Sequence, residues 1–232
     1  MNIAVLLAAG SGERMNMDIS KQFILINEVP LFMYSTRTFN DNPRIDSIII
    51  VTKMEDIHKV EDYCKSFKIN KLSAVIPGGK TRQDSVYNAL SYLHERVDDD
   101  DVVLIHDTAR PLISNSIING NIDMLKKYDA VETAIKATDT IVKSNDGQSI
   151  KRVENRETIY QVQTPQSFRF SLIYQAHEKA RIEKRSVTDD ASLIVSMGKS
   201  VQIVEGDKNN FKITTPEDLE ILKVLLKKSE LN

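Results

Sequence analysis

Two glycines and two cations stand close together near the start of the chain: Gly10 and Gly12, then Arg14 and Lys21. Glycines let backbone N–H groups approach phosphate oxygens closely, and a helix N-terminus behind such a loop adds partial positive charge. With Arg14 and Lys21 supplying two formal charges, the segment Leu6 to Lys21 (LLAAGSGERMNMDISK) suits a phosphate-handling loop in an enzyme that works on a nucleoside triphosphate. The plainer alternative is a strand-to-helix turn with solvated bases. Two better-known phosphate motifs fail on single residues. The dinucleotide fingerprint needs a third glycine where this chain has Met15. Gly78-Gly79-Lys80-Thr81 has the tail of a P-loop, but that motif's leading glycine falls on Ala74. What remains at Gly78-Gly79 is a turn at a predicted strand end, where ligands sit in open α/β sheets. A flat base could slot against Gly79; a tight turn without a ligand is the equal alternative.

The second cluster is His106-Asp107-Thr108-Ala109-Arg110-Pro111, directly after an apolar run. Asp107 suits sugar hydroxyls or a metal ion, and Arg110 suits phosphate. His106 by itself suits a structural hydrogen bond. The histidines at 58, 94, 106 and 177 lack zinc-ligand spacing, and no Gly-x-Ser-x-Gly elbow exists, which argues against zinc and hydrolase-triad chemistry. The acidic run Asp98 to Asp101 is expected to be a solvated loop.

These residues need a scaffold, and the chain supplies an α/β pattern. Ile3–Leu7, Ser47–Thr52 and Val102–Ile105 are short, apolar on both faces and bounded by turns, which suggests parallel strands covered by helices. Ala74–Pro77 and Ala130–Ile135 are further strand candidates. Helical patterns lie between them. Arg82–Glu95 sets Val86, Ala89, Leu90 and Leu93 on one stripe; Glu55–Phe67 and Ser114–Lys127 follow suit. A last helix starts at Pro216, capped by Thr215 with Asp218 three residues on, and faces inward through Leu219, Leu222, Leu225 and Leu226. The alternation predicts an α/β sandwich as one domain over 1–232. Residues 138–163 break the pattern with short β-like pieces around Asn145-Asp146-Gly147, so a projecting β arm is expected there. That arm could pair with a second subunit or fold back as an internal hairpin.

Bulk composition narrows the class. The chain has 232 residues, 41% hydrophobic and 28% charged, which is ordinary globular usage. Net charge is −2, so no global field favours nucleic acid or an anionic membrane, and neither is expected as a partner. One cysteine, Cys64, excludes an intramolecular disulfide and fits a reducing compartment. The apolar start is too short for a membrane span and lacks a basic leader, so a cytoplasmic enzyme is expected.

Several motifs in fixed order now come together. AAGSGERM with Lys21-Gln22-Phe23, then HDTARP, then Gln163-Thr164-Pro165-Gln166-Ser167-Phe168, then TDDAS at 188–192 and NFKITTPEDL at 210–219 run the length of the chain. Together they resemble the cytidylyltransferases that act on polyol phosphates. Within these they are most similar to the 2-C-methyl-D-erythritol 4-phosphate cytidylyltransferase family of the non-mevalonate isoprenoid pathway. The resemblance implies a Rossmann-like three-layer sandwich with a mostly parallel sheet, and a homodimer held by an interlocking β arm. It also implies roles. Ala8, Ala9, Gly10 and Gly12 meet the nucleotide through backbone groups, and Gly79 and Ser85 shape the base pocket. Arg14, Lys21 and Lys212 are catalytic cations. Asp107, Arg110, Thr140 and Thr164 shape the acceptor site, and Arg156 reaches the acceptor phosphate of the other subunit. Lys80 stands where the family often has an acidic residue, so no base contact is assigned to it.

The implied chemistry agrees with these residue types. A phosphate monoester with a second pKa of about 6 is largely ionised near neutral pH and attacks the α-phosphorus of CTP without a protein base. The protein must align two polyanions and neutralise charge as pyrophosphate leaves, which calls for Lys, Arg, backbone N–H groups and Mg²⁺. The Mg²⁺ is expected on the substrate phosphates, with Asp107 the one side chain considered as a ligand. A sister family uses ribitol 5-phosphate for teichoic acid or capsule. Asp129–Gly147 leans that way, while Arg82–Val86 and TDDAS lean toward methylerythritol phosphate. A non-catalytic nucleotide-binding protein on the same fold is the remaining alternative.

Overall fold

The computed structural model describes residues 1–10 and 20–229. Gly12 and Arg14 lie outside the described residues, and their expected roles are not placed. In chain order the strands are β1 (Asn2–Leu7), β2 (Leu25–Ile26), β3 (Val29–Pro30), β4 (Ser47–Thr52), β5 (Leu72–Pro77), β6 (Val102–Asp107), β7 (Ala130–Lys136), β8 (Val142–Lys143), β9 (Arg152–Val153), β10 (Tyr160–Arg169) and β11 (Gln202–Glu205). The helices are α1 (Leu31–Asp41), α2 (Ile57–Ser66), α3 (Arg82–Leu93), α4 (Asn115–Met124), α5 (Phe170–Ile182), α6 (Ala191–Ser196) and α7 (Pro216–Ser229).

One sheet organises the molecule, in the order β11-β7-β10-β6-β1-β4-β5. β6, β1, β4 and β5 run parallel to one another, and β11 runs parallel to β7. β10 is antiparallel to both of its neighbours. Strand alternation sorts side chains into two cores. Ala4, Leu6, Ile48, Ile50 and Leu104 face one side, where Phe32, Phe39, Val60 and Ile118 of α1, α2 and α4 cover them. Ile3, Val5, Ile49, Val51, Val103 and Ile105 face the other, under Val86, Leu90, Ile173 and Leu193 of α3, α5 and α6. Each fully buried aliphatic side chain contributes about 1.5–3 kcal/mol, so this double covering makes the central strands the most firmly held part of the chain. The result is the three-layer α/β sandwich that the apolar runs predict.

Local signals act as their chemistry suggests. Ser114 caps α4, its Oγ accepting from the Ile117 N–H at 3.3 Å. Thr215 and Asp218 form reciprocal bonds at the start of α7, the Thr215 N–H donating to Asp218 Oδ2 at 2.8 Å. Leu219 and Leu222 then pack with Ile26, Leu31 and Ile213, which anchors the last helix to the β2–β3 hairpin. The acidic run before β6 is less solvated than its composition suggests. Asp101 is buried, and its Oδ2 accepts from the Asp98 N–H at 2.9 Å.

The arm leaves the sheet after β7 and folds back on itself. β8 and β9 pair antiparallel through Val142↔Val153 and Lys143↔Arg152. Asp146 stabilises the tip by accepting from the Gln148 and Ser149 N–H groups, and Gly147 takes the positive φ the turn requires. The excursion is shorter than 138–163, because Tyr160, Gln161 and Val162 already pair with Lys136, Ile135 and Ala134 of β7. No helix among the described residues is long and apolar enough to cross a membrane.

Candidate active site

Because β1, β4, β5 and β6 are parallel, their carboxyl ends open on the same edge of the sheet. Each end supplies one wall of a cavity of about 590 Å³. β1 leads into Ala8, Ala9 and Gly10; β4 into Lys53 and Glu55; β5 into Gly78 and Gly79; and β6 contributes Asp107. Ligands occupy this position in open α/β sheets. The walls meet closely. The Ala8 N–H donates to Val51 O at 2.7 Å, and a side-chain carbon at Gly78 would stand 2.9 Å from both Ala9 Cβ and Ser85 Oγ.

Gly79 is required for a reason internal to the fold. A Cβ there would collide with Asp84 Cβ, so glycine lets the chain turn tightly onto the start of α3. Thr81 and Asp84 cap that helix reciprocally, each bond 3.0 Å long. Ser85 accepts from the Gly79 N–H at 3.1 Å and donates to Thr81 O at 2.9 Å. Gly79 and Ser85 both line the cavity, as a base pocket would need.

Lys21, Lys53, Lys80, Arg82 and Lys212 face this space, against the two carboxylates Glu55 and Asp107. The local field is strongly positive although the whole chain is nearly neutral, which suits a polyanion. Lys21 and Lys212 lie far apart in sequence yet meet here. Lys21 Nζ donates to Ile213 O at 2.8 Å, which places it beside Lys212. Lys212 Nζ donates to Asp107 Oδ2 at 2.6 Å, and Arg82 Nε donates to Asp107 Oδ1 at 3.1 Å. Burial acts to raise the Asp107 pKa, but Arg82 and Lys212 outweigh it and hold the carboxyl well below its usual range. Asp107 is therefore an ionised acceptor, with a cation on each oxygen.

That arrangement bears on the metal. Among the described residues no three His, Cys, Asp or Glu side chains cluster as a metal would need. With both oxygens already engaged by cations, the Asp107 donor set does not fit a resident Mg²⁺.

The expected site residues separate into three groups. Ala8, Ala9, Gly10, Lys21, Gly79, Ser85, Asp107 and Lys212 share the cavity. Arg110 and Thr164 stand behind its wall. Arg110 donates to Asn210 O at 2.8 Å and Val162 O at 3.3 Å, tying the segment before Lys212 to β10. Thr164 bonds His106 Nδ1 at 2.9 Å and accepts from the Asp107 N–H at 3.2 Å, so it orients Asp107 from below. Burial pushes the His106 pKa down to about 4, consistent with a neutral structural ring. Thr140 and Arg156 are exposed on the arm, where Arg156 Nη1 donates to Thr138 O at 3.2 Å. Arg82 was not singled out by sequence reasoning. Its place in the Arg82–Val86 motif was visible, but its contacts with Asp107 and Asp190 are purely tertiary.

A cation-lined crevice at the strand ends of a doubly covered α/β sheet, with an ionised aspartate between two cations, suits an enzyme that handles a phosphorylated substrate, and a family match makes that class nucleotidyltransferase. Residues 2–228 match the family model described as IspD, 2-C-methyl-D-erythritol 4-phosphate cytidylyltransferase, and the chain belongs to that family. Relatives of that name include one from Clostridium botulinum (strain Langeland), 41% identical over 98% of both chains. Another, from Clostridium novyi, is 43% identical over 97% of this chain and 96% of its own. Among solved structures, a 4-diphosphocytidyl-2C-methyl-D-erythritol synthase from Anaerococcus prevotii aligns with a TM-score of 0.84 at 30% identity, covering 97% of this chain and 96% of its own. These names favour the methylerythritol branch over the ribitol branch.

Proposed function

We propose that this chain transfers the cytidylyl group of CTP to the phosphate of 2-C-methyl-D-erythritol 4-phosphate and releases pyrophosphate, a step of the non-mevalonate isoprenoid pathway. The observation that carries this is the meeting of Lys21, Asp107 and Lys212 at one cation-lined cavity. An acceptor phosphate oxygen attacks the α-phosphorus; a new P–O bond forms, and the bond to the pyrophosphate oxygen breaks with its electron pair leaving on pyrophosphate. No protein nucleophile or general base is required. Lys21, together with Arg14, neutralises the triphosphate as charge develops, and Lys212 steadies the acceptor phosphate. Ala8, Ala9, Gly10 and Gly12 hold the nucleotide by backbone groups, with Gly79 and Ser85 around the base. Asp107 accepts from acceptor hydroxyls, with Thr164 and Arg110 keeping its surroundings in place. Mg²⁺ belongs to the triphosphate oxygens in this scheme, with no protein ligand assigned. Thr140 and Arg156 act from the arm of a second copy, in a homodimer. The buried single cysteine suits a reducing, cytosolic setting.

The test is a pyrophosphate-release assay with CTP, Mg²⁺ and either 2-C-methyl-D-erythritol 4-phosphate or ribitol 5-phosphate. Release with the first acceptor and little with the second is expected. Preference for ribitol 5-phosphate would move the chain to the sister activity. CTP binding without release on either would favour a non-catalytic nucleotide-binding protein.

A further inference from the structure

Behind Asp107 lies a set of buried polar groups that the phosphate chemistry does not use. Arg82 reaches three acceptors at once: Asp107 Oδ1 at 3.1 Å from Nε, Asp190 Oδ2 at 2.7 Å from Nη1, and Gln166 Oε1 at 3.4 Å from Nη2. Asp190 is held from its other side, where Oδ1 meets His177 Nε2 at 3.0 Å. The Asp190 N–H donates to Gln166 Oε1 at 3.0 Å, and Gln166 Nε2 donates to Glu132 Oε2 at 2.6 Å. Asp190, His177 and Gln166 are essentially inaccessible, and none of them lines the cavity. Three motifs that the phosphate chemistry left without a role therefore converge on one guanidinium: Arg82 of the Arg82–Val86 segment, Gln166 of QTPQSF and Asp190 of TDDAS.

A guanidinium is a rigid planar fork. With Nη1 fixed on Asp190 and Nη2 on Gln166, the direction of Nε is no longer free, and Nε is the group that holds Asp107. Burial acts to lower the Arg82 pKa, but the Asp190 and Asp107 carboxylates outweigh it, so the fork stays charged. We propose that Asp190 is a positioning residue for Asp107, acting through Arg82, and that it sets affinity for the acceptor polyol without touching either substrate. This rests on the assignment of Asp107 to acceptor binding, and the experiment separates the two.

Steady-state constants for CTP and for 2-C-methyl-D-erythritol 4-phosphate should be measured for Asp190→Asn, Asp107→Asn and the double variant. Asp190→Asn is expected to raise the acceptor KM about 10-fold and leave the CTP KM within about 2-fold. The double variant should be no worse than Asp107→Asn alone, because the effect of Asp190 passes through Asp107. A selective rise of the acceptor KM is also expected from Gln166→Leu, which frees the Nη2 side of the Arg82 fork at a buried residue outside the cavity, so a poorly folding Asp190→Asn leaves the test standing. Equal loss for both substrates, an unchanged acceptor KM, or full additivity in the double variant would overturn the proposal. An Asp107→Asn variant with normal acceptor KM would overturn the acceptor role of Asp107 itself, and the positioning role with it.

Discussion

Glu132 and His106 show how individual residues set the pH response of the fold. Glu132 on β7 is buried; its Oε2 takes the Gln166 amide, while Oε1 has no hydrogen-bond partner among the described residues. Burial raises its pKa to about 8. The folded state thus holds a proton more tightly than the unfolded chain, whose Glu titrates near its ordinary value of 4.5. The stabilisation is complete below about pH 4.5 and is lost as pH rises through about 8. His106 works in the opposite direction. Its folded pKa of about 4 lies below the ordinary 6.5 of a free imidazole, so its contribution is complete above pH 6.5 and is lost as pH falls to 4. Between pH 6.5 and 8 the slope from Glu132 stands without opposition from His106. Glu132→Gln should therefore melt at least about 3 °C above the parent at pH 8.5, the shift that about 1 kcal/mol gives at this size, and converge with it at pH 4.5. Parallel melting curves across that range would show that Glu132 is already ionised in the folded state.

The junction from β5 to α3 ties one glycine to the cap of a helix. Gly79→Ala places a carbon against Asp84, which is both the N3 residue and half of the reciprocal cap of α3. Losing a cap costs about 0.5–2 kcal/mol, so melting should fall by roughly 2–6 °C. CTP binding, followed by calorimetry, should weaken with it, because Gly79 and Ser85 share the cavity wall. Unchanged melting and unchanged affinity would show that α3 can shift freely. Which elements were legible in the sequence follows from how each is buried. β1, β4 and β6 are buried on both faces, so they appear as unbroken apolar runs. β10 is just as central, yet it carries Gln163, Thr164, Gln166 and Ser167 inward. Those groups are tolerated because partners from distant segments satisfy them: Asn210 and Asp207 for Gln163, His106 for Thr164, and Asn121 for Ser167. No local pattern encodes such partners, so β10 is legible only in part: its start reads as a β-like piece of the arm up to Gln163, and its inward half only as the QTPQSF motif. Only some of the cavity residues are legible in the sequence, and Lys53, Glu55 and Arg82 are not among them. Gly10, Gly79, Asp107, Lys21 and Lys212 stand in recognisable local motifs, whereas Arg82 acquires its meaning from Asp190, far along the chain.

At the scale of the whole molecule, the arm is the feature that a single chain does not explain. Val142, Ile150 and Val153 are exposed on it, and Tyr160 and Val162 are exposed at its root, an apolar surface that the described residues leave uncovered. If Arg156 serves the partner's cavity, Lys21→Ala and Arg156→Ala should each lower turnover by orders of magnitude. An equal, re-equilibrated mixture should then recover roughly a quarter of parental activity, since half the dimers are mixed and each holds one intact site. No recovery would place Arg156 in its own subunit's site or outside catalysis. The contact between Lys212 and Asp107 spans 105 residues of chain. At the usual pace of synthesis, about 5–20 residues per second, Asp107 waits roughly 5–20 s for its second cation. The nascent protein can close its central strands early, but the crevice lacks this cation until Lys212 has been made.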